Sequence, residues 1–372
     1  MRIGINALFW GPNQMGGTQT YLTKLVEALV RTFSRDEFVV FLNADGREAF
    51  PVRSENLSIV GCPVRWRQTG VRLLWQYLAL PRYAKRAQVD VLHSLGYLSP
   101  VAPGLPCVVT VLDMIHYRRP KEISNAKRWL WRVLFPISLR SAAAVITISK
   151  AVEREVAEEF PWSGSRIRSI HLGVDETVFR VGDRAGGHVD RPTVLGVASM
   201  APHKNLDGLI RAFERARERV RTARLILVGT KTKTGDRLWQ EVQERGLEGA
   251  IEFAGRISER ELVTLYQSAS VMVAPSHYEG FCLPVLEAMA CGCPVVSADS
   301  AVFEEVGGDA SVRVDATDVS ALAGAIAAVL LDEDLRSALK AKGLRRARAF
   351  TWRQTAEETM EVYREVCGAP DA

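Results

Sequence analysis

The sequence of 372 residues lacks several features that would assign a protein to a class at once. No apolar run approaches the roughly 20 residues that a membrane-spanning helix needs. The start shows no charged segment followed by an apolar stretch and a small-residue cleavage site, so we expect a cytoplasmic protein. The six cysteines include no C-x2-C pair, which argues against a zinc site and a disulfide framework. Buried free thiols are the interpretation that remains.

The chain also lacks short repeats and low-complexity tracts, and strand-like apolar segments alternate with helical patterns along its length. This alternation predicts an α/β protein with doubly wound parallel sheets. The pattern lapses between residues 175 and 191, where glycine, aspartate and arginine dominate, and we interpret that stretch as a linker. We therefore expect domains over 1–180 and 190–350, followed by a last helix over 352–368. The predicted strands are RIGINALF, EFVVFLN, VDVLHSL, CVVTVLD and AAVITIS in the first half and TVLGVAS, ARLILVG, IEFAG, SVMVAP and CPVVSA in the second.

Positive charge is concentrated in one part of the first half. The stretch Arg65–Arg140 holds 13 basic and 3 acidic residues, a net charge of +10, and four of the tryptophans. Such a mixture predicts an anionic partner, either nucleic acid or an anionic membrane surface. The alternative is that its apolar residues belong to the domain core and its charges are solvated, because Pro136 is expected to interrupt a long amphipathic helix.

Two carboxylates, Glu279 and Glu287, stand in the otherwise apolar stretch SHYEGFCLPVLEAMACGCPVV. Pro284 suits a helix start, which places Glu279 in the preceding loop and Glu287 in the first turn. Ligands of parallel sheets gather at the carboxyl ends of strands, where helix N-termini favour phosphate. Because a carboxylate repels phosphate, these glutamates are expected to accept hydrogen bonds from hydroxyl groups on both sides of it, which is the layout of a nucleotide sugar. The alternative is a helix-stabilising Glu287 and a solvated Glu279.

A second segment, GVASMAPHKNLDGLI, reads as a strand, a loop and a helix. Asn205 is the expected N-cap, and Lys204 just before it would direct an ammonium group at an anion held by the helix start. Taken alone, a lysine in this position is usually solvated.

The stretch EGFCLPVLEAMACGCPVV resembles the E-x7-E signature of the retaining glycosyltransferases of family 4. VASMAPHKN is similar to the lysine loop of the mannosyltransferase-like members of that family, and the resemblance extends over nearly the whole chain. It implies the GT-B fold, with two Rossmann-like domains facing across a cleft and the last helix crossing back to the first domain. It also implies transfer with retention and without a metal.

The resemblance implies a role for each motif. Glu287 would hold the ribose hydroxyls of the donor, and Glu279 would hold those of the transferred sugar as a catalytic residue. Lys204 would neutralise the diphosphate in both binding and catalysis. The other donor-binding residues would be Gly16 and Gly17 from the first domain, with Ser199, Arg256, Ile257, Gly280, Phe281, Cys282 and Leu283 from the second.

Two positions depart from the family pattern. Ser199 stands where many relatives have an arginine, five residues before Lys204, so donor affinity would depend more on that lysine. Leu112 precedes Asp113 where relatives commonly show His-Asp. Asp113 is therefore predicted as the acceptor-side carboxylate, and His116 is the local imidazole that could act with it. A loop histidine without a role is the alternative.

The sequence thus predicts a hexosyltransferase that uses a nucleotide-sugar donor, with GDP-mannose favoured, and a lipid-linked or growing surface-glycan acceptor. No cofactor is expected. Peripheral contact with the inner face of the cell membrane through Arg65–Arg140 is a further hypothesis. The alternatives are a nucleotide-sugar epimerase or a phosphorylase on the same fold, and a nucleic-acid-binding protein, which the absence of any recognised nucleic-acid module disfavours.

Overall fold

A computed structural model describes residues 1–12, 16–102, 104–182, 191–230 and 233–368. The chain divides into two compact units, Met1–Gly173 with Trp352–Ala372 and Val174–Thr351. Much of the predicted linker, residues 183–190, lies outside the described residues, as do residues 13–15 of the predicted glycine turn. The last helix groups with the first unit, as the GT-B resemblance implied.

The first unit contains a seven-stranded parallel sheet. Its strands are β1 Arg2–Asn6, β2 Glu37–Asn43, β3 Leu57–Cys62, β4 Val91–Ser94, β5 Cys107–Val111, β6 Ala144–Thr147 and β7 Ile167–Ser169. They lie in the order β3-β2-β1-β4-β5-β6-β7. Successive crossovers run one way from β1 and the other way from β4, so the topological switch point falls between these two strands.

Helices numbered in chain order surround this sheet. They are α1 Gly17–Thr32, α2 Thr69–Leu78, α3 Leu80–Arg86, α4 Ile115–Arg118, α5 Asn125–Ser141, α6 Lys150–Glu159 and α14 Trp352–Cys367. The break predicted before the last helix is present, because a turn at Arg348 and Ala349 and two further residues precede the start of α14 at Trp352. No helix in the described ranges is long and apolar enough to cross a bilayer.

A buried polar network joins α14 to the first sheet. The Nδ1 atom of His93 on β4 lies 2.6 Å from the Tyr363 hydroxyl on α14, and its Nε2 atom lies 2.8 Å from Thr110 Oγ1 on β5. The Tyr21 hydroxyl on α1 lies 3.1 Å from the same Thr110 oxygen. Burial lowers the pKa of His93 to about 3, so the ring is neutral and serves as a hydrogen-bonding element of the core.

Helix α5 contradicts one sequence expectation. It is continuous over 17 residues with Pro136 inside it, so the proline does not interrupt the helix. Phe135, Ser138 and Leu139 are buried on its inner side. Their packing holds the helix together and offsets the roughly 3 kcal/mol that an interior proline costs.

The second unit contains a six-stranded parallel sheet in the order β10-β9-β8-β11-β12-β13, whose switch point falls between β8 and β11. The strands are β8 Thr193–Val197, β9 Arg224–Val228, β10 Ile251–Gly255, β11 Val271–Ala274, β12 Val295–Ala298 and β13 Ser311–Val314. The helices are α7 Leu206–Arg219, α8 Lys233–Glu244, α9 Glu259–Ser268, α10 Leu283–Ala290, α11 Ala301–Gly307, α12 Val319–Leu331 and α13 Glu333–Ala347.

All ten strands predicted from sequence are present, and three further strands were missed: β3, β7 and β13. Each of the three lies at the edge of its sheet. Edge strands are less completely buried than central ones, so their sequences carry a weaker apolar signal. β3 and β13 show this directly, because most of their residues are only half-buried.

The cysteines are all free, as expected. Four are buried, and Cys282 and Cys367 are half-buried.

The network predicts that Tyr363→Phe destabilises the first unit by about 1–3 kcal/mol, because His93 loses a buried hydrogen-bond partner. Seven of the eight tryptophans lie in the first unit. A Trp239→Phe background therefore makes tryptophan fluorescence during urea unfolding a reporter of that unit. Tyr83→Phe is the control, since Tyr83 is a half-buried tyrosine of the same unit that packs against Trp75. Equal stability of the Tyr363 variant and the control would contradict the role given to the network.

Candidate functional site

The predicted site residues of the second unit gather at the switch point of its sheet. The loop after β8 carries Lys204, and the loop after β11 carries Glu279. Because β8 and β11 are neighbouring parallel strands, both loops leave the same edge of the sheet. A backbone hydrogen bond of 2.8 Å from His277 N–H to the His203 carbonyl joins them directly.

Asn205 holds these loops in place. It occupies the N-cap position of α7, as predicted, but its side chain does not cap the helix. The Nδ2 group donates instead to the carbonyls of Pro275 at 3.1 Å and Ala316 at 2.9 Å. Its backbone is left-handed, with φ of 52°, a conformation that asparagine tolerates better than most residues. Sequence reasoning missed this bridging role of Asn205. The hint that the sequence offered was an asparagine directly after Lys204.

Lys204 and Glu279 form the central charged pair. Lys204 Nζ lies 2.8 Å from both carboxylate oxygens of Glu279, and the two side chains are 18% and 11% exposed. Partial burial limits screening by water and salt, so this pair interacts more strongly than a surface ion pair. In the ligand-free chain the lysine charge is therefore neutralised by the glutamate.

Glu287 lies on α10, whose N-cap Cys282 is influenced by the charges of this pair and of Glu287. Its position in the helix differs from the expected one. It is the fifth residue of the helix, in its second turn, so the expectation that it lies in the first turn was wrong. The first turn begins with Leu283 and Pro284, after an N-cap at Cys282. The displacement weakens the alternative in which Glu287 stabilises the helix N-terminus, since that effect falls off within the first turn.

Burial raises the pKa of Glu287 from an ordinary 4.5 to about 7. The Tyr266 hydroxyl on α9 donates a hydrogen bond of 3.0 Å to Glu287 Oε2, which opposes this rise. Sequence reasoning missed Tyr266, because a tyrosine in an amphipathic helix gives no sign of its partner. The carboxyl group therefore changes protonation near neutral pH while keeping a fixed donor.

The start of α10 supplies the positive end of a helix dipole to the same loop. Cys282 caps it with a left-handed φ of 71°. Burial raises the pKa of the Cys282 thiol well above its usual range, Glu279 raises it further and Lys204 opposes the rise. Gly280 precedes a buried Phe281, which packs against Phe350 at a ring-centroid distance of 6.0 Å. This contact anchors the loop in the core of the second unit.

The loop after β9 lies between the loops after β8 and β10. The Arg256 Nε donates to Thr230 Oγ1 at 3.1 Å, and Ile257 beside it is half-buried. Gly229 is required here, because a Cβ atom at its position would lie 1.8 Å from the Ala198 carbonyl oxygen. Ser199, next to this contact, is exposed. Sequence reasoning missed Gly229, although a glycine directly after a strand often marks close backbone approach.

Four of the predicted site residues lie in the first unit, and they are Gly16, Gly17, Asp113 and His116. Gly16 is the N-cap of α1 and Gly17 its first residue, and a Cβ atom at either would meet nothing within 4 Å. Asp113 follows β5, where Oδ2 accepts a hydrogen bond of 2.6 Å from the Tyr97 hydroxyl and Oδ1 accepts one of 3.0 Å from Ile115 N–H.

His116 lies on α4 and stacks on Trp131, with a ring-centroid distance of 3.9 Å. Burial, together with the charge of Lys127, lowers its pKa to about 4, so the ring is neutral at physiological pH. Its buried Nε2 atom has no hydrogen-bond partner among the described residues. A partnerless buried nitrogen differs from a solvated loop histidine, although it assigns no role by itself.

Metal binding has no obvious location. In the ranges that the structure describes, no three histidine, cysteine, aspartate or glutamate side chains are grouped so that they could hold a metal ion. The expectation of metal-independent chemistry stays a prediction.

Two family descriptions match the chain in succession: Glycosyltransferase Family 4 over residues 15–178 and Glycosyl transferases group 1 over residues 183–346. A relative from Mycolicibacterium hassiacum, the MMP α-(1→4)-mannosyltransferase, is 30% identical over 75% of this chain and 71% of its own length. The chain belongs to glycosyltransferase family 4. The predicted family and the assignment as a transferase are therefore confirmed.

This family 4 glycosyltransferase is also similar to O-antigen chain mannosyltransferase B of Escherichia coli, at 33% identity over 61% of this chain and 62% of that protein. Among solved structures it resembles sucrose-phosphate synthase from Thermosynechococcus elongatus, with a TM-score of 0.78 and 21% identity over 99% of this chain and 100% of the other. At 21% identity, the similarity to sucrose-phosphate synthase supports the fold alone. With the two parallel sheets it confirms the predicted GT-B fold class.

The raised pKa of Glu287 predicts how the stability of the second unit of the glycosyltransferase depends on pH. The folded chain keeps this proton up to about pH 7, whereas the unfolded chain releases it near 4.5. The stabilisation is thus fully present below about pH 4.5 and is lost as the pH rises through about 7. Glu287→Gln removes the titration, so it should gain about 1–3 kcal/mol relative to wild type between pH 5 and pH 8.

Denaturant-dependent hydrogen exchange of α10 peptides at both pH values measures this difference. Glu252→Gln is the control, since Glu252 is an exposed residue of β10. A Glu287→Gln variant whose stability follows the same pH dependence as wild type would refute the prediction.

Proposed function

We propose that this glycosyltransferase moves a hexose, with mannose favoured, from a nucleotide-sugar donor to a lipid-linked or growing surface-glycan acceptor, with retention and without a metal. The observation that carries the proposal is the Lys204–Glu279 pair beside the start of α10, with Glu287 on the same helix, at the switch point of the second sheet. One cation and two carboxylates there suit a ligand that carries phosphate between two sets of hydroxyl groups.

Donor binding would rearrange the charged pair. A diphosphate at the start of α10 would compete with Glu279 for the Lys204 ammonium, because phosphate carries more negative charge than a carboxylate. Glu279 would then be released to accept hydrogen bonds from the hydroxyls of the transferred sugar. Glu287, already held by Tyr266, would accept those of the ribose. Arg256 and Ile257 would lie toward the base.

The chemical step proposed here needs positive charge at the leaving group. As the bond from sugar to diphosphate breaks, negative charge grows on the diphosphate, and Lys204 with the α10 dipole would stabilise it. An acceptor hydroxyl would attack the same face of the sugar, which retains the configuration. Asp113 is proposed on the acceptor side. Neutral His116 would lie there as a hydrogen-bonding group, because a pKa of about 4 makes its ring a weak base at physiological pH. The proton of the attacking hydroxyl would pass to the departing diphosphate oxygen on the same face of the sugar.

The proposed sugar and acceptor are based on the names of similar proteins. Two relatives are named as mannosyltransferases, and one of these names specifies the O-antigen chain. These names support mannose as the transferred sugar and a surface glycan as the product.

The first unit carries an exposed apolar surface that supports membrane contact. Its residues lie at helical spacing on two helices and are 40–67% exposed: Val71, Leu74 and Leu78 on α2 with Trp129, Leu130, Val133 and Ile137 on α5. We call this set the α2–α5 face. The alternative in which all these residues belong to the core is therefore wrong for this set, although Phe135 and Leu139 of α5 are buried.

Basic side chains accompany the α2–α5 face. Arg132 and Arg140 on α5 are exposed, as are Arg65 and Arg67 just before α2. Apolar residues surrounded by cations suit the interface of an anionic bilayer, where each basic residue contributes about 1 kcal/mol. We propose that this face rests on an anionic membrane and keeps the enzyme near a lipid-linked acceptor.

The donor assignment predicts different effects for the two glutamates. Glu287→Ala should weaken binding of bare GDP by about tenfold or more, because the ribose loses a charged acceptor. Glu279→Gln should preserve or strengthen GDP binding, since it frees Lys204, while turnover falls about 100-fold. Lys204→Ala should lower both GDP affinity and turnover. Isothermal titration with GDP and a transfer assay measure these quantities.

Thermal-shift comparison of GDP-, UDP- and dTDP-sugars first identifies the base, since the ligand that binds the folded chain raises its melting temperature. If UDP or dTDP proves to be the base, that diphosphate replaces GDP in the titrations. Equal losses of nucleotide affinity in both glutamate variants would contradict the division of roles. Isomerised free sugar, or cleavage that requires phosphate, would instead favour an epimerase or a phosphorylase.

The membrane assignment predicts co-sedimentation with anionic vesicles at low salt that weakens at high salt. Replacing the exposed Arg65 and Arg132 by Gln should weaken binding by about 2 kcal/mol. Replacing Leu74, Leu78 and Trp129 by Gln should weaken binding at both salt concentrations. The matched control is Leu331→Gln, an equally exposed leucine of the second unit. Failure of the wild type to bind anionic vesicles would exclude this contact and leave the donor chemistry unaffected.

A further inference from the structure

A cavity of about 320 Å³ in the first unit lies at the switch point of its sheet. Asn6 and Phe9 line it from the end of β1, and Gly96 and Leu98 line it from the loop after β4. These are the two strands between which the crossover direction reverses. The rule that places ligands at the switch point of an open parallel sheet therefore points to this cavity.

Two helices form its outer wall. The lining residues are Thr69, Arg72, Leu73 and Gln76 from α2 and Lys127, Leu130 and Trp131 from α5. A contact of 2.8 Å between the Tyr77 hydroxyl and Ser138 Oγ holds these helices side by side. The volume is large enough for a phosphate or a diphosphate but small for a whole drug-sized ligand.

The polar chemistry of the cavity favours an anion. Arg72 and Lys127 are both cationic, and the lining residues that the structure describes include no carboxylate. The two lining amides already donate within the protein, Gln76 Nε2 to the Leu98 carbonyl at 2.6 Å and Asn6 Nδ2 to Ser94 Oγ at 3.1 Å. The two cations are therefore the charged groups that this lining offers to a ligand.

A hydrogen bond to the backbone fixes the position of Arg72. It is half-buried, and its Nη1 donates to the Trp66 carbonyl at 2.9 Å. A guanidinium has five N–H donors, so this contact orients the group and leaves donors for a ligand. An arginine fixed in this way loses less conformational entropy on binding an anion than a free surface lysine does.

The cavity also adjoins apolar surface. Leu130 both lines the cavity and belongs to the exposed α2–α5 face, while Val71 and Leu74 flank its α2 residues in sequence. A ligand with its anionic group on Arg72 and Lys127 could therefore leave an apolar chain along that face. A free sugar or a neutral glycan would make no use of either feature.

Trp131 connects the cavity to the residues proposed on the acceptor side. Trp131 stacks on His116 and lies 5.1 Å from the Tyr97 ring, and the Tyr97 hydroxyl is bonded to Asp113. A ligand seated in the cavity would thus be separated from Asp113 by two packed aromatic rings.

We propose that this cavity binds the phosphate group of a lipid-linked acceptor, with Arg72 and Lys127 as its anion-binding residues. The proposal rests on the proposed function in taking the ligand to be the acceptor. It adds that the acceptor carries phosphate next to its lipid.

The test is isothermal titration calorimetry of the full chain with farnesyl phosphate. The ligand is kept below its micelle concentration, and no vesicles are present. Binding should weaken at least tenfold in Arg72→Gln combined with Lys127→Gln, and Arg72→Lys should retain part of it. Arg154→Gln on α6 is the matched control, an exposed arginine of the same unit. Farnesol and inorganic diphosphate should each bind at least tenfold more weakly than farnesyl phosphate.

Several outcomes would overturn the proposal. They are unchanged binding in the double variant, equal binding of farnesol, or equal binding of inorganic diphosphate, which would indicate a site for free anions. If Arg72→Gln alone melts early, the Lys127→Gln variant provides the same comparison.

GDP titration of the same samples separates this proposal from the proposed function. Loss of farnesyl phosphate binding with intact GDP binding affects the cavity alone. If neither nucleotides nor nucleotide sugars bind, the donor assignment fails while an Arg72-dependent lipid phosphate site can still stand.

Discussion

The hydrogen bonds of one asparagine connect the loops on which the candidate donor site depends. Asn205 joins the loop after β8 to Pro275 after β11 and to Ala316 after β13. Lys204 precedes this asparagine, and Glu279 lies four residues beyond Pro275, so the position of the charged pair follows from these contacts. The left-handed backbone at Asn205 makes the turn that ends the lysine loop and begins α7. Few other residues could adopt that conformation and also bridge two carbonyls.

The electrostatics of this site depend on two pairs of side chains. In the first pair, Lys204 and Glu279 neutralise each other, which stabilises the ligand-free chain and would give a diphosphate a cation for which it must compete. In the second pair, Glu287 and Tyr266 form a hydrogen bond in a poorly solvated position. Because desolvation disfavours the charged carboxylate, hydroxyl groups of a ligand that donate to it would favour its ionisation. The site is therefore expected to respond to pH near neutrality.

The sheets of the two units follow the same topological rule. Each sheet is parallel and open, and in each the crossover direction reverses beside its first strand. The switch point of the second sheet carries the charged pair, and that of the first sheet opens into the cavity with Arg72 and Lys127. The two sets differ in chemistry. Carboxylates and a lysine suit hydroxyls around a phosphate, whereas two cations beside exposed apolar helices suit an anion attached to a lipid.

The sequence by itself determined the α/β class, the central strands, the break before the last helix, and the motif that places Lys204 and Glu279 in neighbouring loops. These depend on apolar periodicity and on residues close together in the chain, which a sequence displays directly. Only the tertiary structure decided the rest: the edge strands β3, β7 and β13, the second-turn position of Glu287, the Tyr266 and Asn205 contacts, and a helix α5 that continues through Pro136. Each of these depends on burial or on residues distant in sequence. An edge strand forms only against its neighbouring strand, and a carboxyl pKa rises only where the surrounding protein removes water. A proline inside a helix is tolerated only where tertiary packing offsets the free energy that it costs.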